Sequence, residues 1–411
     1  MPKVYSLKIR LGTFDLLKFT TQPLEQILIF LLFALHPMQF IWKRQRPVEY
    51  FDVIDKSAII QVTYWLIIGV ISFIYLFRRY DYLEKYKPNL SLLIFSIWAF
   101  LTTLWSVGPL ETLARSVEMI CFLFLITSVS MILGERCNPK QIIDFLLLYI
   151  LWEILWSFLY ALLIRNQLFT IRMFYAARTS VPLFFFLAWY IRPFHPATWI
   201  ISIFTTLSLA RKNYLGIFLG LFGLSLGNKY YKSILLYVIA ACLTLFIFWG
   251  EELLLHTLWL GEEKVSLQDS SGRNYMWTLA ISAFLEDPIF GSGFAAGEGA
   301  ILRQYFPIAI SMHSFIFSSL VGTGLIGTLI LLTYFFKQLR ASISTYLPMN
   351  YRAAFCSTVI MATVISLTAP GLGGRVSGSW IGVVLIFSCI SQISMQFSQN
   401  QGKNKLPAKY R

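Results

Sequence analysis

The chain has 411 residues, of which 57% are hydrophobic, 17% aromatic and only 13% charged, whereas a soluble domain carries about 25% charged residues. That balance excludes a soluble enzyme and predicts a polytopic membrane protein in which polar groups are confined to particular places. The net charge of +14 is therefore to be divided by side of the membrane and is not a nucleic-acid footprint.

The first twenty residues are basic and mixed (Lys3, Lys8, Arg10, Lys18) and no small-residue cleavage site follows the first apolar run, so the first span is expected to be retained. Apolar runs of spanning length, or nearly so, follow at 24–42, 57–77, 89–105, 112–133, 141–163, 179–191, 196–210, 213–226, 232–249, 312–336, 353–369 and 379–396. They predict an all-α bundle of about 12 transmembrane helices forming a single domain over 1–411. One long extracytoplasmic loop, 250–312, lies between spans nine and ten.

With both termini in the cytoplasm, the inner segments carry 20 Lys and Arg against 5 acids, and the outer ones 14 against 13. This orientation obeys the positive-inside rule and its reverse does not. Some outer positions are nevertheless basic: Lys43, Arg44 and Arg46, then Arg165, Arg172, Arg178, Arg211, Lys212 and Arg375. Bases kept outside against the insertion preference call for a reason, and an anionic ligand would supply one.

Several residues in the spans have structural readings. Glu111, Arg115 and Glu118 share one helical face and read as an ion-pair rung. Gly216 and Gly220 form a GxxxG pair, read as close helix packing. Glu153 lies mid-span between Trp152 and Trp156, where a carboxylate must be protonated, paired or facing a polar cavity. The five cysteines are scattered, odd in number and without a CxxC, which encodes neither a disulfide framework nor a metal site.

The outer loop holds the densest set of motifs. Ser270-Ser271-Gly272-Arg273 precedes a short helix, NYMWTLAISAFLED, that stops at Pro288. It is too short to cross a bilayer and is expected to lie in the interface or on the bundle. Arg273 would stand at its N-terminus, where free N–H groups and the helix dipole favour an anion. Pro288-Ile289-Phe290-Gly291-Ser292-Gly293-Phe294 then turns the chain back, and Ser311-Met312-His313-Ser314-Phe315 enters the next span, which contains Gly322-Thr323-Gly324-Leu325-Ile326-Gly327.

In this order, GR, a Trp four residues on, a proline with a GxG turn, a His entering a helix and then GLIG, the stretch resembles the O-antigen ligase and surface-polysaccharide polymerase superfamily. Two further stretches are similar to that family: Trp105-Ser106-Val107-Gly108-Pro109 to its WS-x-x-P turn, and Ser208-Leu209-Ala210-Arg211 to the start of one of its spans. Ala210 stands where that family usually has a hydroxyl, and Ser314 where it usually has Asn.

The resemblance implies a bacterial inner-membrane enzyme, multi-pass with both termini cytoplasmic. Such an enzyme transfers a glycan from a polyprenyl-diphosphate carrier to a sugar hydroxyl of a glycan or lipid-linked acceptor, with inversion and with neither cofactor nor metal. It further implies His313 as the base and Arg211 and Arg273 as holders of the diphosphate, with Arg165, Arg172 and Arg178 as further contacts. Arginine suits phosphate because it stays charged and binds in a bidentate fork; histidine suits a base near neutral pH. A transporter or flippase for a lipid-linked saccharide is the competing class, to which Glu153 and the basic outer positions would also belong. The cell-wall polymerases of shape and division, with Asp269 or Asp287 as the acidic residue, form a third reading.

Overall fold

A computed structural model describes residues 10–11, 14–15, 22–41, 56–85, 89–163, 180–207, 211–227, 273–305, 312–367, 376 and 378–405. Among these residues, apart from a two-residue antiparallel pair, Arg10–Leu11 with Phe14–Asp15, the regular structure is helical. In chain order the helices are α1 (Pro23–Ile41), α2 (Lys56–Arg78), α3 (Tyr80–Lys85), α4 (Leu90–Leu101), α5 (Pro109–Arg136), α6 (Pro139–Leu163), α7 (Phe185–Ile191), α8 (Pro196–Leu207) and α9 (Arg211–Gly227). They continue with α10 (Arg273–Glu286), α11 (Ala296–Tyr305), α12 (Phe315–Ser342), α13 (Met349–Leu367) and α14 (Gly378–Lys405).

Each apolar run expected from the sequence coincides with helix except 232–249, which lies outside the described residues. Among the described residues, five stretches are long and apolar enough to cross a membrane: Ile59–Arg78, Pro109–Arg136, Pro139–Leu159, Phe315–Ser342 and Trp380–Gln401. Others, such as Leu90–Leu104 and Val181–Ile191, are apolar but shorter. This is the build of a multi-pass membrane protein. Its outward face is apolar, as a lipid-facing face must be: on α2, Ile59, Ile60, Ile67, Val70, Phe73 and Phe77 are exposed.

Helix α5 is the centre of the bundle. It packs on α2, α4 and α14, and its middle, from Met119 to Leu133, is buried almost throughout. Pro109 at its first position costs no hydrogen bond, since that N–H has no helical partner. At its other end, Arg136 reaches the buried carboxylate of Glu25 on α1 at 3.2 Å, and Arg79 bridges Glu25 and Glu135 at 3.8 and 3.6 Å. Inside the bundle, Asn89 joins Thr127 of α5 and Ser388 of α14 through its amide at 3.3 and 2.9 Å.

The glycines of α9 do what the GxxxG pair predicted. A Cβ at Gly223 would come within 2.5 Å of the Ser357 backbone of α13, and one at Gly216 within 3.2 Å of Met361 and Ile365. At Gly220 it would strike the Phe186 ring of α7. Small residues here let two helix backbones approach. Arg115 and Glu118 also pair as expected, at 2.6 Å, with Glu111 buried on the same helix.

The described part of the segment 250–312 differs from expectation: it carries two short helices. The second, α11 over AGEGAILRQY, was not legible because Gly297 and Gly299 lower helix propensity. It forms through tertiary support, packing on α10 and α12 and touching α5.

Candidate functional site

The site is built around a break in α12. Gly324 adopts φ 65, ψ −167 inside this helix, a conformation open to glycine and strained for other residues. A break there frees the carbonyls of Val321 and Gly322 and the N–H groups of Leu325 and Ile326 from each other, and each needs a new partner. The turn 288–293 supplies all four. Ser292 and Gly293 donate to the carbonyls of Val321 and Gly322 at 2.8 and 3.0 Å, while Leu325 and Ile326 donate to those of Pro288 and Ile289 at 2.9 and 3.5 Å. The turn can come this close because Gly291 and Gly293 have φ of 70 and 107 and no Cβ. One at Gly291 would lie 2.5 Å from the Gly324 nitrogen.

The turn before α5 closes over the same junction. The Val107 N–H donates to the Ser292 carbonyl at 3.1 Å, Thr112 Oγ1 to the Phe294 carbonyl at 3.1 Å, and the Phe294 N–H to Thr102 Oγ1 at 3.0 Å. Two indoles complete it: Trp105 Nε1 donates to the Gly291 carbonyl at 3.0 Å and Trp98 Nε1 to the Thr323 carbonyl at 2.9 Å. Phe290 stacks on Trp98 and meets Trp105 edge-on. Three stretches far apart in the chain, 105–109, 288–294 and 322–327, thus form one rigid junction.

His313 lies two residues before α12, half-buried. It is linked to this assembly through α11, which follows Phe294 and whose Glu298 carboxylate accepts from the Met312 N–H. Its φ is 52, a left-handed conformation that costs a residue with a Cβ about 1–2 kcal/mol and that clusters at functional sites. The residues on both sides hold it there. Met312 is buried; its carbonyl accepts from Trp277 Nε1 at 3.0 Å, and its N–H donates to the carboxylate of Glu298. Ser314 is extended, opens α12 through its carbonyl, which accepts from the Ser318 N–H at 3.0 Å, and makes no side-chain cap. Ser318 Oγ in turn donates to Glu298 Oε1 at 3.0 Å. Trp277 stacks on Phe317 with ring centres 5.2 Å apart.

The expected arginines are placed unevenly. Arg273 is the first residue of α10 and Arg211 the first of α9; their backbones are described and their side chains are not. Trp277, one turn after Arg273, anchors α10 to Met312, so Arg273 and His313 stand on elements that are tied together. Arg211 begins the helix that packs against α13, which in turn packs on α12. Arg165, Arg172, Arg178 and Arg375 lie outside the described residues, as do Ser270, Ser271 and Asp269.

Sequence reasoning missed Glu298. Its burial, 5% exposed, follows from the unforeseen α11. Glu153 of α6 is also buried, and the Ser180 hydroxyl donates to its Oε1, which makes it a paired carboxyl. The described cysteines, Cys121, Cys137, Cys356 and Cys389, are free and buried. Among the described residues no three His, Cys, Asp or Glu side chains gather as metal ligands would.

Comparison of the chain with protein-family models and with curated proteins returns no match.

Proposed function

We propose that this protein transfers a glycan from a polyprenyl-diphosphate carrier to a sugar hydroxyl at the outer face of a bacterial inner membrane, as a surface-polysaccharide polymerase or an O-antigen-type ligase. The observation that carries the proposal is the setting of His313. A histidine held in a left-handed turn, joined through Glu298 to a junction built from 105–109 and two parts of the loop-and-span stretch that resembles the family, is tied through Trp277 to the helix that Arg273 begins.

In the reaction proposed, neutral His313 accepts the proton of the acceptor hydroxyl as that oxygen attacks the anomeric carbon from the face opposite the diphosphate. The bond from the anomeric carbon to the diphosphate oxygen breaks, and the departing polyprenyl diphosphate takes the electron pair. Fixed positive charge from Arg211 and Arg273 stabilises it, with Arg165, Arg172 and Arg178 guiding the anionic donor. The proton remains on His313 until it is lost to solvent. The proposal takes the chain as a bundle of about twelve spans with both termini in the cytoplasm. Membrane lipid, a lipid-linked donor and a glycan or lipid-linked acceptor are its partners.

Glu153 favours a second reading, a transporter of lipid-linked saccharides, because a buried carboxyl inside a bundle is a common element of coupled transport.

One experiment separates the two. The protein in lipid nanodiscs, with a chelator present, is given polyprenyl-diphosphate-linked oligosaccharide, and release of polyprenyl diphosphate and growth of the glycan are followed for wild type and His313→Ala. A ladder of products lost in His313→Ala is expected of a polymerase, and a single transfer to an added acceptor of a ligase. Movement of a labelled lipid between leaflets of sealed vesicles, without transfer, would replace the enzyme with the transporter.

A further inference from the structure

We infer that Glu298 is a positioning residue for His313, clasping the chain on both sides of the histidine so that the imidazole is held in one orientation. The inference rests on the reading of His313 as the base, but its geometry is independent of that reading. Glu298 comes from α11, a different element from the one that bears the histidine, and it is buried. Its Oε1 accepts from the Met312 N–H, one residue before His313, and from the Ser318 hydroxyl, one turn into α12. Between those two anchors lies the residue with φ 52.

A strained backbone persists only where its surroundings over-determine it, and here the determination is visible. The Met312 N–H precedes the helix and has no helical partner, so without Glu298 it would be a buried orphan donor. The Met312 carbonyl is fixed separately by Trp277. The Met312 N–H belongs to the peptide before Met312 and its carbonyl to the peptide that leads into His313; Glu298 holds the first and Trp277 the second, so both planes through which the chain enters the left-handed turn are anchored. Glu298 is thus placed to set where the imidazole points without touching the substrate.

Both hydrogen bonds fall on one oxygen, which makes the inference testable by conservative change. In Glu298→Gln the carboxamide oxygen keeps the reach and both acceptor bonds but loses the charge. In Glu298→Asp the charge is kept, while the oxygens withdraw by about 1.5 Å, one carbon–carbon bond. A clasp predicts that Gln serves and Asp does not. The expected result for glycan transfer is a kcat in Glu298→Asp reduced by about tenfold or more, because misplacement of a catalytic group by about 1 Å can cost up to about a hundredfold. KM for the donor should change little, and Glu298→Gln should stay close to wild type. The reverse order, with Asp active and Gln inactive, would show that the charge itself matters and would overturn the inference.

A second readout needs no turnover. The rate at which diethyl pyrocarbonate acylates His313, followed by peptide mass spectrometry in the intact protein, should be altered in Glu298→Asp and unaltered in Glu298→Gln. If wild type transfers no glycan, the proposed function fails while this readout still reports on the clasp. Identical acylation of His313 in wild type and both variants would overturn the clasp whatever the activity.

Discussion

The Ser292 N–H donates to the carbonyl of Val321 at 2.8 Å, a carbonyl that the break at Gly324 has released from its own helix. The bond is one of four by which the turn 288–293 and a broken apolar helix exchange backbone partners. Because the exchange is complete, neither partner can move without orphaning buried polar groups. The turn is therefore built into the bundle, and the site that depends on it inherits that rigidity.

Gly324→Ala is expected to damage this junction more than any surface substitution. A Cβ there would lie 2.3 Å from the Ile289 carbonyl oxygen, and the residue would also be held at φ 65. Backbone strain alone amounts to about 1–3 kcal/mol, and the clash adds to it. Thermal unfolding in detergent should show a marked fall in midpoint; an unchanged midpoint would mean the junction contributes little.

At His313 the left-handed conformation predicts an order of stability among variants. His313→Ala keeps a Cβ and its strain, while His313→Gly removes both, so the glycine variant should match or exceed the alanine variant in stability, by up to about 1 kcal/mol. Glycine ordinarily lowers stability relative to alanine through its greater unfolded-state freedom. Finding it lower here by the usual margin would show that φ is not held positive at this residue.

Breaking the pair Arg115–Glu118 should cost more than removing it. The two side chains are 14% and 6% exposed and 2.6 Å apart, so Arg115→Leu alone leaves a buried carboxylate without its partner, a loss of about 3–5 kcal/mol. The double change Arg115→Leu with Glu118→Leu should recover much of that loss. A double-mutant cycle measured by unfolding checks it, and simple additivity of the two changes would refute it.

His195, in the turn between α7 and α8, predicts a pH dependence. Burial is the largest cause and lowers its pKa, Asp144 opposes this, and Arg192 lowers it further, leaving the pKa below the ordinary value. Its Nδ1 accepts from the Ala197 N–H at 3.2 Å, a role that only the neutral ring can fill. The folded state therefore binds this proton less readily than the unfolded chain does. The contribution of His195 to stability is whole above the ordinary histidine pKa of about 6.5 and is lost as the pH falls through the lowered folded value. His195→Asn should flatten the acid limb of the stability profile; an unchanged slope would show that other groups set it.

How much of this was legible in the sequence depended on the range of the interaction. Helices α1, α2, α4 to α9 and α12 to α14 followed from apolar runs, since a lipid-facing or buried helix is apolar along its length whatever it packs against. The close packing at Gly216 and Gly220 and the pair Arg115–Glu118 were also visible, because each is set by spacing on a single helix. The motif order around Arg273, Trp277 and His313 was visible as a pattern, but its geometry was not.

Three features were decided only in the tertiary structure: the break at Gly324, the helix α11 and the burial of Glu298. Nothing local marks Gly324 as the glycine that departs from the helix, since Gly322 and Gly327 nearby do not. The break holds because residues 288–293, some thirty positions earlier, supply its missing hydrogen-bond partners. Likewise α11 has weak intrinsic propensity and is stabilised by what it packs on, and its position turns an ordinary loop acid into the carboxylate that holds the turn at His313. Periodicity and composition record what each residue needs from its own helix, whereas partners that meet across the chain leave no local trace. The sequence by itself therefore determined a bundle of apolar helices, and only long-range backbone exchange decided the shape of its site.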